Sequence, residues 1–210
     1  RTASDTEVIV HAWEEWGPAM LERFNGQFAF ALYDRIEQSV FLARDRFGVR
    51  PLFYAQRGAD FFFASEAKAL FAGGEIDAHA DPVGLAELTT FWATLGSRTV
   101  FRGVQQLEAG GWASWRNGRL ETGIWFRPQW EETTEEPDNA IEMLDELLRS
   151  SVELRMRADV PVGGYLSGGL DSSVTCTLSA AQSPFALRTF SITFEDPALE
   201  ARSAGQKILI

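Results

Sequence analysis

The chain has 210 residues, 45% of them hydrophobic and 12% aromatic, enough for one large domain or two modest ones with packed cores. Its 30 acidic against 19 basic residues give a net charge of −11, a field that repels nucleic acid, and no Lys/Arg run offsets it. No eighteen-residue apolar stretch is present, so no membrane span is expected. The opening "RTASDTEV" has no apolar signal core, and a start at Arg1 is expected to mark a piece of a longer protein. The single cysteine, Cys176, excludes an internal disulfide and fits a reducing, cytoplasmic setting. His11 and His79 are too far apart in sequence to suggest a metal pair. A metal would therefore be held by carboxylates and phosphates, which points to magnesium.

Thr2 to Gly17 reads as a helix, with Ser4 and Glu7 at capping-box spacing and Gly17–Pro18 as its stop. "GQFAFALYD" alternates as a strand packed on both faces, with Phe28, Phe30 and Leu32 on one and Ala29, Ala31 and Tyr33 on the other. "SVFLARD", "PLFYAQ" and "DFFFAS" follow as short strands, then "EAKALF" as a short helix. Asp81–Pro82 opens a further helix, and Asn117–Gly118 suits the turn of a hairpin.

"RPQWEETTEEPDN" is acidic and lacks an apolar period, so residues 129–137 are read as a linker between 1–128 and 138–210. Beyond it, Ile141, Leu144, Leu148 and Val152 recur at helical spacing behind Pro137–Asp138. "ADVPVGGYL" reads as a buried strand, "SGGLDSS" as a loop, "SVTCTLSAA" as a helix and "LRTFSITF" as a second strand. That order is a βαβ unit and implies a parallel sheet. The fold class is α+β followed by α/β.

The loop carries chemistry. A glycine-rich turn between strand and helix aims backbone N–H groups at one point, where the helix terminus adds partial positive charge. Gly168 and Gly169 let a phosphate approach, and Ser167, Ser172 and Ser173 offer hydroxyls. No lysine follows the glycines, so this is not a Walker A loop. Asp171 stands in its place, which makes sense if magnesium lies between carboxylate and phosphate. The plainer alternative is a turn with Asp171 as a helix cap.

"VPVGGYLSGGLDSS" resembles the pyrophosphate loop of the glutamine-hydrolysing asparagine synthetase family. "TASDTEVI", "FNGQFAFALYD", "ARDRFGVRPLFY", "FFFASEAKAL" and "TFSITFED" resemble further segments of the same family, in order. The resemblance implies the C-terminal part of an N-terminal-nucleophile glutaminase sandwich, two antiparallel sheets between helices. The start of an ATP-pyrophosphatase domain (adenine nucleotide alpha hydrolase-like) with a parallel sheet would follow. It implies glutamine, aspartate and ATP as substrates, Mg2+ as metal, and ammonia channelled to β-aspartyl-AMP. It makes Asp5 the carboxylate that pairs with the amino group of glutamine, where otherwise Asp5 reads as a helix-start acid. It places Tyr165, Ser167, Gly168, Gly169, Asp171, Ser172, Ser173 and Ile192 at the nucleotide, with Asp171 on the metal. Arg44 and Asp45 receive no catalytic role, and Cys176 is expected to be a small buried residue. The nucleophilic cysteine, the carboxylate-binding arginine and the oxyanion segment would lie upstream of Arg1, and the second pyrophosphate-site segment is not found before Ile210. The chain by itself is therefore expected to be inactive. β-Lactam synthetases and peptide-cyclising enzymes share the architecture, so another acceptor stays open, as does a non-catalytic module; an oligomer is compatible with either.

Overall fold

The computed structural model describes residues 4–130 and 139–192. The chain divides into two compact units, Arg1–Trp130 and Glu131–Ile210.

The first unit begins with α1 (Thr6–Trp16), which starts four residues later than the sequence pattern predicts. Ser4 Oγ accepts from Thr6 N at 3.2 Å, and the Glu7 carboxylate lies 3.3 Å from His11 Nε2. Gly17, at φ 54°, ends the helix, and a 3-10 helix (Gly17–Arg23) follows that no periodicity announces. Four strands come next: β1 (Ala29–Asp34), β2 (Ser39–Arg44), β3 (Phe53–Arg57) and β4 (Asp60–Ala64). After α2 (Ala67–Ala72) and α3 (Pro82–Phe91), β5 (Val104–Gln106), β6 (Gly111–Arg116) and β7 (Arg119–Ile124) complete the unit. One antiparallel sheet has the order β1-β2-β6-β7 and the other β4-β3-β5.

The side-chain period of two decides the layers. Leu42 on β2 and Ala113 on β6 face Leu52, Tyr54 and Leu107 across the gap between the sheets. Phe41 and Ala43 turn the other way, onto Ala12 of α1 and Met20 and Leu21 of the 3-10 helix. Ala55 and Val104 of the second sheet pack on Leu70 of α2. The order is helix, sheet, sheet, helix. β2, inside its sheet, is covered on both faces. β1 is an edge strand, and its Ala31 and Tyr33 are exposed, which corrects the expectation of packing on both sides. The β6–β7 turn holds Asn117 at φ 51° and Gly118 at φ 76°, the two positive values that such a tight hairpin requires.

Asp81 caps α3. Its Oδ1 accepts from Val83 N at 2.9 Å and Gly84 N at 3.2 Å, and Oδ2 lies 3.7 Å from Arg98. The Gly84 hydrogen bond, then that of Val83 and the charges of Arg98 and Arg102, hold its carboxyl below the ordinary 3.8 against desolvation. A lowered folded pKa means stability that is present above the unfolded value and lost as pH falls through the folded one. Asp81→Asn keeps a capping oxygen and removes the charge. It is expected to lower the melting temperature near pH 7, and the gap from wild type is expected to close as the pH of the melts falls below 3.8 and through the lowered folded pKa.

In the second unit, α4 (Ala140–Met156) forms as the spacing predicts, with Val152 buried. β8 (Gly163–Tyr165), α5 (Leu170–Gln182) and β9 (Arg188–Phe190) give the expected βαβ, and the two strands pair in parallel. Three differences stand out. "ADVPVGGYL" is not a buried strand, since only three of its residues pair and Val160 and Tyr165 are exposed. "SGGLDSS" is not all loop, because α5 begins at Leu170 and takes Asp171, Ser172 and Ser173 into its first turn. "LRTFSITF" pairs only over Arg188–Phe190 among the described residues. The two-stranded sheet buries few side chains, so the β-branched pattern does not extend the ladder. Pro137–Asp138 and most of the expected linker lie outside the described residues.

Candidate functional site

Two features of the chain could bind ligands, one in each unit.

In the first unit, Asp5 stands at the start of α1 and lines a cleft of about 850 Å³. The cleft draws on four separated segments: the stretch from Asp5 to Ile9; the stretch from Arg23 to Phe30; Arg50 and Pro51; and Ser65. Only Asp5 was legible as a site residue. Asn25, Arg50 and Ser65 belong to stretches that stand out in the sequence, yet nothing along the chain says that they meet.

The end of β2 frames this cleft. Asp45 is 2% exposed, and its carboxylate accepts from Phe28 N (3.2 Å), Phe47 N (3.2 Å), Val49 N (2.9 Å) and Arg50 N (3.0 Å). Arg44 is 8% exposed and donates to the carbonyls of Arg50 (2.7 Å), Leu107 (2.5 Å) and Gly48 (2.6 Å). Burial lowers its guanidinium pKa, and the charge of Asp45 opposes that. Both residues bond main chain.

In the second unit, β8 ends at Tyr165, the loop 166–169 crosses to α5, and Gly168 takes φ 82°. At that angle a side chain is strained, so glycine is required there. Gly169 O accepts from Ser172 Oγ (3.0 Å), Ser173 Oγ (2.8 Å) and Ser173 N (3.1 Å). Ser172 Oγ also accepts from Ser167 N at 3.2 Å and lies 3.0 Å from Ser167 Oγ. The serines thus brace the turn against the helix. First-turn N–H groups have no intrahelical acceptor, so those of Leu170, Asp171 and Ser172 are open to an anion. The Asp171 carboxylate is exposed in the same turn, and no hydrogen bond or ion pair engages it among the described residues. Tyr165 and Ile192, each 85% exposed, lie at or just past the C-terminal ends of parallel β8 and β9, the edge where such sheets bind ligands. Ile192 falls two residues beyond β9, not within a strand. No group of three or more potential metal ligands occurs among the described residues, so Asp171 is part of no such cluster there.

Cys176 is 3% exposed, and its Sγ lies 3.7 Å from Tyr165 O, under the strand. A Cβ added at Gly164 would stand 2.6 Å from that sulfur. Gly164→Ala is therefore expected to cost about 1–3 kcal/mol. Adding Cys176→Ala removes the obstruction and is expected to recover most of it. A double-mutant cycle by chemical unfolding checks the coupling.

Residues 143–206 match the asparagine synthase family. Among curated relatives, asparagine synthetase (glutamine-hydrolysing) 3 of Bacillus subtilis is 33% identical over 92% of this chain and 32% of its own length. A putative asparagine synthetase of Mycobacterium bovis is 37% identical over 92% of this chain and 31% of its own. A second putative asparagine synthetase of Methanocaldococcus jannaschii is 34% identical over 92% and 39%. The chain spans about a third of the length of these relatives. A solved glutamine phosphoribosylpyrophosphate amidotransferase of B. subtilis overlaps at TM-score 0.40 and 14% identity, covering 99% of this chain and 45% of that one, a likeness too distant to bear on the assignment. Residues 1–126, more than half of the chain, match the glutamine amidotransferase domain, and the chain belongs to that family.

Proposed function

We propose that the chain is part of a glutamine-dependent asparagine synthetase, which converts ATP, aspartate, glutamine and water to asparagine, glutamate, AMP and pyrophosphate. The observation that carries this reading is the Ser167–Ser173 turn at a strand–helix junction, with first-turn N–H groups and an Asp171 carboxylate that nothing among the described residues engages, in a chain that also carries an amidotransferase domain. The division into a glutaminase part (1–128), a linker (129–137) and the start of an ATP-pyrophosphatase domain (138–210) belongs to the same proposal.

In this reading Asp5 attracts the ammonium of glutamine at the cleft. Ser167, Gly168, Gly169, Ser172 and Ser173 hold the pyrophosphate end of ATP through backbone and hydroxyl donors. Tyr165 and Ile192 flank the nucleotide at the sheet edge. The donor set fits Mg2+, which takes one or two carboxylates and completes its shell with phosphate oxygens and water. Asp171 would hold it, and the ion would neutralise charge on the departing pyrophosphate. Aspartate adenylation and displacement of AMP by ammonia complete the turnover.

Exchange of labelled pyrophosphate into ATP tests the first half-reaction in the longer protein. Exchange that requires aspartate is expected. Exchange without aspartate, or release of ADP in place of AMP, contradicts the proposal.

A further inference from the structure

The cleft of the first unit contains a stretch, Asn25–Gln27, that belongs to no helix or strand. Its two ends are gripped by two consecutive residues. Asp45 takes the Phe28 end: its carboxylate accepts from Phe28 N at 3.2 Å, and its own N–H donates to Phe28 O at 2.8 Å. Arg46 takes the other end, donating to Phe24 O through one guanidinium nitrogen and to Glu22 O at 3.0 Å through another. The same guanidinium lies 5.1 Å from the ring centre of Trp125 and 5.4 Å from that of Phe126, which fixes its plane. Because Asp45 also holds Arg50 N on the facing wall, the distance between the two walls is set from one point of the backbone.

We propose that Arg46 is a positioning residue for this cleft: it tethers the Phe24 end of the Asn25–Gln27 stretch and so keeps that wall in place for a ligand. Asp45 is buried and serves several N–H groups at once, so its loss disturbs the fold as a whole. Arg46 is only half-buried, and its two carbonyl acceptors can turn to water when it is removed. The consequence of removing it is local: one end of the stretch is freed while the Phe28 end stays held. That this wall receives glutamine rests on the function proposed above; the tethering itself does not.

The test is ¹⁵N relaxation on the labelled 210-residue chain. Arg46→Met is expected to lower the backbone order parameters of Asn25, Gly26 and Gln27 from about 0.85 to below about 0.6, with those of β2 and β6 unchanged. Arg46→Lys, which keeps one donor but not the planar fork, is expected to fall between. Unchanged order in this stretch in either folded variant overturns the proposal, even if the melting temperature drops, and Arg46→Lys decides the matter if Arg46→Met does not fold. A parallel titration of the longer protein with L-glutamine is expected to show about tenfold weaker binding by Arg46→Met, equivalent to about 1.4 kcal/mol. Absence of glutamine binding by wild type would count against the function proposed for the cleft, while the order parameters would still decide the role of Arg46.

Discussion

Asp45→Ala is expected to destabilise the first unit by about 3–5 kcal/mol, among the largest losses a single substitution produces. The carboxylate is almost fully buried and accepts four backbone N–H groups, from Phe28, Phe47, Val49 and Arg50. Alanine leaves all four without an acceptor in a space that water enters poorly, and each orphaned group carries a desolvation cost. The adjacent Arg44 adds to the effect. Its guanidinium depends on carbonyls of the same turn, those of Gly48 and Arg50. If the turn opens, a buried cation loses its partners. Urea unfolding of the two proteins reads the difference. A loss below about 1 kcal/mol would mean that the turn is held by its own backbone and that the carboxylate is incidental.

The second large effect concerns chemistry. Asp171→Asn is expected to lower aspartate-dependent pyrophosphate exchange about 100-fold in the longer protein, the scale of losing one preorganised electrostatic contact to developing charge. The half-saturating Mg2+ concentration is expected to rise by about ten- to 100-fold. Asparagine keeps the shape and the helix start but not the charge, so the fold should be untouched; among the described residues the carboxylate bonds nothing whose loss would loosen it. Thermal melts of both proteins control for that. An Asp171→Asn protein with full exchange and unaltered Mg2+ dependence would make Asp171 an ordinary helix-start acid.

What could be read along the chain, and what could not, follows from the range of the interactions involved. Asn117–Gly118 announces its hairpin because the two positive φ angles are a property of those residues alone. Asp81–Pro82 announces α3 because the cap is made two and three residues on. The Ser167–Ser173 turn is legible for the same reason, since its brace runs between residues no more than five apart. Ser4 and Glu7 show the limit of a local rule. At capping-box spacing, Ser4 Oγ instead serves Thr6, and Glu7 lies against His11. The three-residue β5 is too short to carry a period, and β8 and β9 stop early where side-chain pattern alone suggested longer strands.

The cleft wall was out of reach of such reading. Asp45 serves residues 17 positions back and up to five ahead, and its acceptor role is to backbone N–H groups, which every residue has. No residue type at a partner position signals that bond. Arg46 reaches back 22 and 24 positions to carbonyls, with the same anonymity. The meeting of Asp5 with Asn25, Arg50 and Ser65 is likewise a product of how the segments fold back, not of their composition.

The most direct test follows the nitrogen. The longer protein is supplied with glutamine labelled with ¹⁵N at its amide, together with unlabelled aspartate, ATP and Mg2+. The account predicts ¹⁵N in the side-chain amide of asparagine, with one AMP and one pyrophosphate formed for each label transferred. Label that appears only as free ammonia, or in a product other than asparagine, or ATP cleaved to ADP and phosphate, would contradict it.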